Sequence, residues 1–162
     1  MRLALVVLLA LAACATARPS LGDVNLKPYS RSFDSPTTFG VQPGRIISPE
    51  IDLAVQDDGC IRGTAARNFV QLCSKAEKAE PSEPGALVQH WAGSGGDFTL
   101  EILDHGKKLR ADGFLTQRAN GALPLQATIP LGQGPQWDEL RKNPALLAVA
   151  AALAGVRGEP TQ

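Results

Sequence analysis

Few side chains in this 162-residue chain are of the types that move protons, attack carbon or hold metals, and their settings decide what each can do. The two histidines are His90, in an extended stretch before a glycine-rich turn, and His105, at a turn tip where an imidazole faces water. Acid–base or nucleophilic work needs a partner placed beside them, and no serine or cysteine stands in a motif that would supply one. Ser94, in Ala92-Gly93-Ser94-Gly95-Gly96, lacks the leading glycine and the strand-to-helix setting of a nucleophile elbow. The same segment lacks the Gly-Lys-Ser/Thr ending of a phosphate loop and reads as a turn. Asp57-Asp58-Gly59 carries one fragment of a calcium loop without the remaining ligand spacing. Asp97, Asp104 and Asp112 could gather at strand ends around a cation, but strand geometry separates Asp104 from the other two by most of a hairpin. Cys60 and Cys73 have neither a CxxC partner nor a nearby histidine, so zinc ligation is not expected. The expectation is no catalytic residue and no metal site.

Charge removes a further class. Sixteen basic and sixteen acidic residues give a formal net charge of zero, without the basic stripe that a nucleic-acid partner requires. Trp91 and Trp137 remain as possible binding-surface aromatics, since a ring at an exposed rim stacks on sugar, peptide or protein. Aromatic residues make up only 5% of the chain, so a small core is expected to use both.

The third cysteine has the most informative setting. Met1 and Arg2 precede an uncharged apolar run from Leu3 to Leu9, and Leu11-Ala12-Ala13-Cys14 follows. Leu3 to Ala13 is too short for a membrane-spanning helix, which needs about 20 apolar residues, and fits a signal-peptide core. The arrangement resembles the export signal of bacterial lipoproteins. That resemblance implies removal of residues 1–13 and a diacylglyceryl group on the Cys14 thiol, usually with a third acyl chain on its amino group. At about 0.8 kcal/mol per buried methylene, two or three chains anchor a protein stably. It also implies the outer membrane, because Ala15 stands where an aspartate would retain an inner-membrane lipoprotein. A competing reading takes Ala15-Thr16-Ala17 as an ordinary cleavage site, which would release a soluble periplasmic or secreted protein beginning at Arg18.

With Cys14 assigned to lipid, Cys60 and Cys73 remain as a pair, and an oxidising compartment makes a disulfide their expected state. Residues 14–44, rich in Pro, Ser, Thr and Gly, read as the lipidated cysteine followed by a flexible tether. About thirty such residues would span roughly 30 Å. Tyr29, Phe33 and Phe39 are unusual for a linker and are expected to dock on the domain. Residues 45–162 form the folded unit, a length that suits one core.

From Ile46 the apolar pattern has period two, the signature of half-buried antiparallel strands. A turn at Asp57-Asp58-Gly59 pairs Val55 with Ile61 and Leu53 with Gly63. The next hairpin sets Cys60 opposite Cys73, Ile61 opposite Leu72 and Gly63 opposite Val70. A turn at Asp104–Lys107 pairs Ile102 with Leu109, Leu100 with Ala111 and Phe98 with Gly113, bringing Glu101 opposite Arg110. Slipping that register by one would bury Lys108 and Arg110. A turn at Ala119-Asn120-Gly121 aligns Leu115 with Leu125, Ala111 with Ile129 and Leu109 with Leu131. Pro124 and Pro130 each remove a ladder donor, which suits an edge strand. Residues 74–86 read as a solvated loop. At the C-terminus, Gln136 to Lys142 suits a short helical turn. Asn143, Pro144 and Gly155 then serve as N-cap, first position and stop of a helix with Leu146, Val149, Ala150 and Leu153 on one face.

The fold expected is mainly β: a single antiparallel meander of about seven strands, forming a curved sheet or small barrel with a C-terminal helix packed on it. A β-sandwich is the alternative. The function expected is that of a non-enzymatic, lipid-anchored cell-envelope protein with no cofactor beyond the covalent lipid on Cys14. It would present its domain to an envelope protein or polymer and meet no nucleic acid. Two other readings are a carrier of a small apolar ligand in a barrel cavity and a soluble periplasmic or secreted enzyme of unrecognised type. An interior filled by Leu53, Leu100, Ile102, Leu109 and Ile129 would argue against the carrier.

Overall fold

Alternating apolar and polar side chains, punctuated by turn residues, build among the described residues one antiparallel sheet of ten strands whose order in space is their order along the chain. The computed structural model describes residues 18–26, 37–65, 68–76, 80–117 and 121–153. Cys14, Ala15–Ala17, Tyr29, Phe33 and Gly155 lie outside them. The strands are β1 (Gly22–Leu26), β2 (Thr37–Gln42), β3 (Arg45–Ser48), β4 (Ile51–Val55), β5 (Ile61–Ala65), β6 (Asn68–Lys75), β7 (Leu87–Gly93), β8 (Gly96–Leu103), β9 (Lys108–Gln117) and β10 (Gly121–Pro130). Two helices follow, α1 (Pro135–Lys142) and α2 (Pro144–Leu153).

The expected seven strands are β4 to β10, and three more precede them. β3 is a four-residue strand at the start of the expected domain, and β1 and β2 fall inside the stretch that reads as tether. Val24 and Leu26 alternate with Asp23 and Asn25, and Phe39 and Val41 with Thr38 and Gly40. All four apolar side chains are buried. Each run is too short to stand out against its Pro- and Ser-rich surroundings, so composition conceals the alternation. Phe39 does pack into the core.

Every register read from β4 through β6 and from β8 to β9 is observed. The β9–β10 register differs. Gln117 pairs with Gly121, and Leu115, Ala111 and Leu109 stand opposite Leu123, Ala127 and Ile129, two residues from the expected partners. A slip of two keeps every side chain on its face, so the alternation that excludes a one-residue slip cannot detect it.

The sheet curls into a half-barrel around α2. That helix touches β3, β4 and β5 on one side of the curl and β8, β9 and β10 on the other, and residues 144–151 are all buried. The amphipathic expectation for this helix is thereby corrected, since Ala145, Ala148 and Ala151 are as buried as Leu146, Val149 and Ala150. A helix apolar all round belongs inside a core. Its small residues allow strands to approach from several directions.

β6 changes partner along its length, pairing with β5 through Asn68–Leu72 and then with β7 through Cys73–Lys75. The β7–β8 turn closes on this joint: the Gly95 N–H donates to the Gln71 carbonyl at 3.1 Å, and a Cβ on Gly93 would lie 2.2 Å from that same oxygen. The glycine-rich turn serves close backbone approach.

One end of the half-barrel is capped by α1, which the sequence reads only as a short helical turn. Glu139 accepts the Gly44 N–H at the β2–β3 turn (2.8 Å), while Arg141 donates to the carbonyls of Gly106 (3.0 Å) and Gly132 (2.5 Å). Asn143 stands directly before Pro144, the first residue of α2, as expected, with its carbonyl accepting the Leu146 N–H at 3.1 Å; it also closes α1, its own N–H bonded to the Glu139 carbonyl. The opposite end carries the β3–β4 and β7–β8 turns.

Candidate functional site

The polar groups that the sequence brings together face outward from β7, β8 and β9. Period-two alternation sends Phe98 and Leu100 into the core, and Thr99 and Glu101 to the convex face. Register then sets His90, Thr99 and Asp112 in one row and Val88, Glu101 and Arg110 in the next. Thr99, Glu101, Arg110 and Asp112 line an open cleft of about 280 Å³.

Glu101 is the buried member, only 6% exposed. Its carboxylate accepts a charge-assisted hydrogen bond from Arg110, the Ser82 N–H at 2.9 Å and the Ser82 hydroxyl at 2.8 Å. Glu83 holds the same loop by accepting the Asp104 N–H at 2.9 Å. The Glu101–Arg110 pairing is legible from the register. The Ser82 contact is not, because nothing in a loop's composition says which strand it will cross. Glu101→Gln replaces one acceptor oxygen with an amide donor that faces Arg110. It is expected to cost about 1–3 kcal/mol, the range for a buried polar group left without its partner. Urea denaturation measures the cost, and faster amide exchange at Ser82 and Asp104 locates it.

His90 contacts Asp97 through Nε2 at 2.8 Å. A carboxylate on one ring nitrogen orients an imidazole, which is half of a catalytic arrangement. The other half needs a nucleophile and a site shielded from water. This pair lies beside Thr99 on an open sheet face, with the Asp97 side chain 52% exposed. His105 is exposed in the short helical turn Asp104–Gly106, at the α1-capped end and away from His90. The two histidines therefore share no site. Asp97 and Asp112 belong to adjoining strands, while Asp104 pairs with Lys108 at 3.8 Å. Among the described residues, no group of three or more His, Cys, Asp or Glu side chains is arranged to hold a metal ion.

Two further outward pairs are salt bridges. Arg45 donates to both carboxylate oxygens of Asp52 and Arg62 to both of Asp58, which holds these carboxyls below their ordinary pKa. Such pairs add stability above the usual aspartate pKa and lose it as pH falls through the lowered value. Their exposure keeps the contribution small.

Of the candidate aromatics, Trp91 is 7% exposed, with its indole N–H donated to Gln89 at 3.1 Å. Trp137 packs partly buried against the core, over Gly132. The rings that do stand out were not singled out by the sequence: Phe69 is 63% and Phe114 43% exposed. Both are outward positions toward the end opposite α1, Phe69 facing Thr64 and Phe114 facing Asp97 and Pro124. Counting parity along β6 and β9 would have found them. Cys60 and Cys73 are joined by a disulfide with a Cα–Cα distance of 4.2 Å, across the β5–β6 pair. No family model matches the chain, and no curated protein or solved structure matches it either.

Proposed function

We propose that this chain is a non-enzymatic lipoprotein of the cell envelope, anchored in the outer membrane through Cys14, which presents its β domain to an envelope protein or polymer. The observation that carries this reading is Leu11-Ala12-Ala13-Cys14 directly after an apolar run of signal-peptide length. The folded part adds support. Its buried acid, Glu101, is engaged in holding a loop, and the His90–Asp97 pair lies on an open face. The concave face on which a carried ligand would lie is occupied by α2, among Leu53, Leu100, Leu109 and Ile129, with Ile102 partly buried beside them. That arrangement favours presentation over carriage.

Among the described residues, Phe69 and Phe114 are the exposed rings with which a partner would make apolar contact. Replacing both with serine is expected to abolish recovery of a defined envelope complex by crosslinking in intact cells while leaving the melting temperature within a few degrees. Unchanged recovery would place the partner elsewhere. Acylation itself is tested by the mass of the mature N-terminal peptide, which should begin at a lipid-modified Cys14.

A further inference from the structure

The composition of residues 14–44 suggests a long tether, but the chain is already tied to the fold at Arg18. The Arg18 guanidinium donates to the Pro43 carbonyl at 3.1 Å, and the Leu21 N–H donates to the Val41 carbonyl at 2.8 Å, just before β1 enters the sheet. Four peptide units separate Cys14 from Arg18. Fully extended, they cover about 14 Å at most. Arg18 and Pro43 lie at the end capped by α1, where Gly44 is bonded to Glu139. The ten residues of β9 run about 30 Å from that end to the other.

We infer that the anchor is a short leash that holds the α1-capped end of the half-barrel against the lipid headgroups and turns the opposite end, with Phe69 and Phe114, away from the bilayer. The inference rests on the acylation of Cys14 proposed above. A lipid surface is the occupant of the capped end because the leash begins there and is shorter than half the height of the sheet. Arg18, Lys107 and Lys142 are exposed at that end alongside Asp57, Asp104 and Asp138, so the length of the leash and not net charge selects the surface. Lys107 follows the turn against which Arg141 packs, and Lys142 ends α1.

The test uses the full chain expressed in a Gram-negative host, purified from membranes and placed in nanodiscs of phosphatidylethanolamine and phosphatidylglycerol. A fraction of the lipid carries a nitroxide on its headgroup. Amide signals of Gly44, Gly106 and Arg141 should lose most of their intensity, while those of Gly95 and Phe69 keep most of theirs. A twenty-residue Gly/Ser insertion before Arg18 should remove the difference. Even attenuation at both ends, or stronger attenuation at Gly95, would overturn the inference. The mass of the N-terminal peptide from the same preparation separates the two claims. An acylated peptide with even attenuation overturns the orientation alone, and an unmodified peptide overturns the anchor and the orientation together.

Discussion

Leu146→Glu is expected to stop the chain from folding, recovered as aggregate where the parent is folded. Leu146 is fully buried in α2, and every neighbour of that helix from Ala145 to Ala151 is buried too, so a carboxylate there meets apolar groups from both sides of the curl. Burying a charge without a partner costs several kcal/mol, comparable to the total stability of about 5–15 kcal/mol typical of a domain. Leu146→Ala leaves a cavity without a charge and is expected to fold, with a loss of about 2–5 kcal/mol in urea denaturation. The exposed Lys142→Ala, in α1, should change stability by less than about 0.5 kcal/mol. A soluble Leu146→Glu protein with a near-parental denaturation midpoint would mean that α2 is not the centre of the core.

Opening the Cys60–Cys73 disulfide should have the next largest effect. The bond closes a loop with a sequence separation of 13 residues, and its loss is expected to cost about 3 kcal/mol through the freedom returned to the unfolded chain. The melting temperature of the double serine variant should fall by on the order of 10 °C. The location sharpens the expectation. Cys73 is where β6 leaves β5 and joins β7, a junction of only three residue pairs. Amide exchange should therefore rise first at Cys73–Lys75, before the β8–β9 pairing is affected. A reduced protein with the parental melting temperature would show that the glycine-rich turn alone secures the joint.

The parts of the fold legible in the sequence are those in which one physical rule had one solution. From β4 to β6, burial of Leu53, Ile61, Val70 and Leu72 excludes a slip of one and the short turns exclude a slip of two, and the same holds for Phe98, Leu100 and Leu109 across the turn between β8 and β9. Where two solutions satisfy the rule, it is silent: the β9–β10 register admits a slip of two without exposing Leu125 or Ile129. Short strands are hidden differently. β1 offers only Val24 and Leu26 as core residues, and its burial depends on β2, eleven or more positions away across residues 27–36. Long-range polar contacts such as Ser82 on Glu101, or α1 on Gly44, leave no local trace. The outward row of His90, Thr99 and Asp112 could have been assembled from strand parity once β7 was registered against β8, a hairpin whose glycine-rich turn leaves its length open.

These elements give the account its shape: a ten-stranded sheet wrapped around its own last described helix, capped by α1 at the end where the N-terminal chain arrives. The central claim concerns the residue just before that arrival. Mass spectrometry of the mature N-terminal peptide, taken from membranes of a Gram-negative host expressing the full chain, tests it most directly. The account predicts a peptide that begins at Cys14 and carries a thioether-linked diacylglycerol. An unmodified peptide beginning at Arg18, recovered from the soluble fraction, would contradict it.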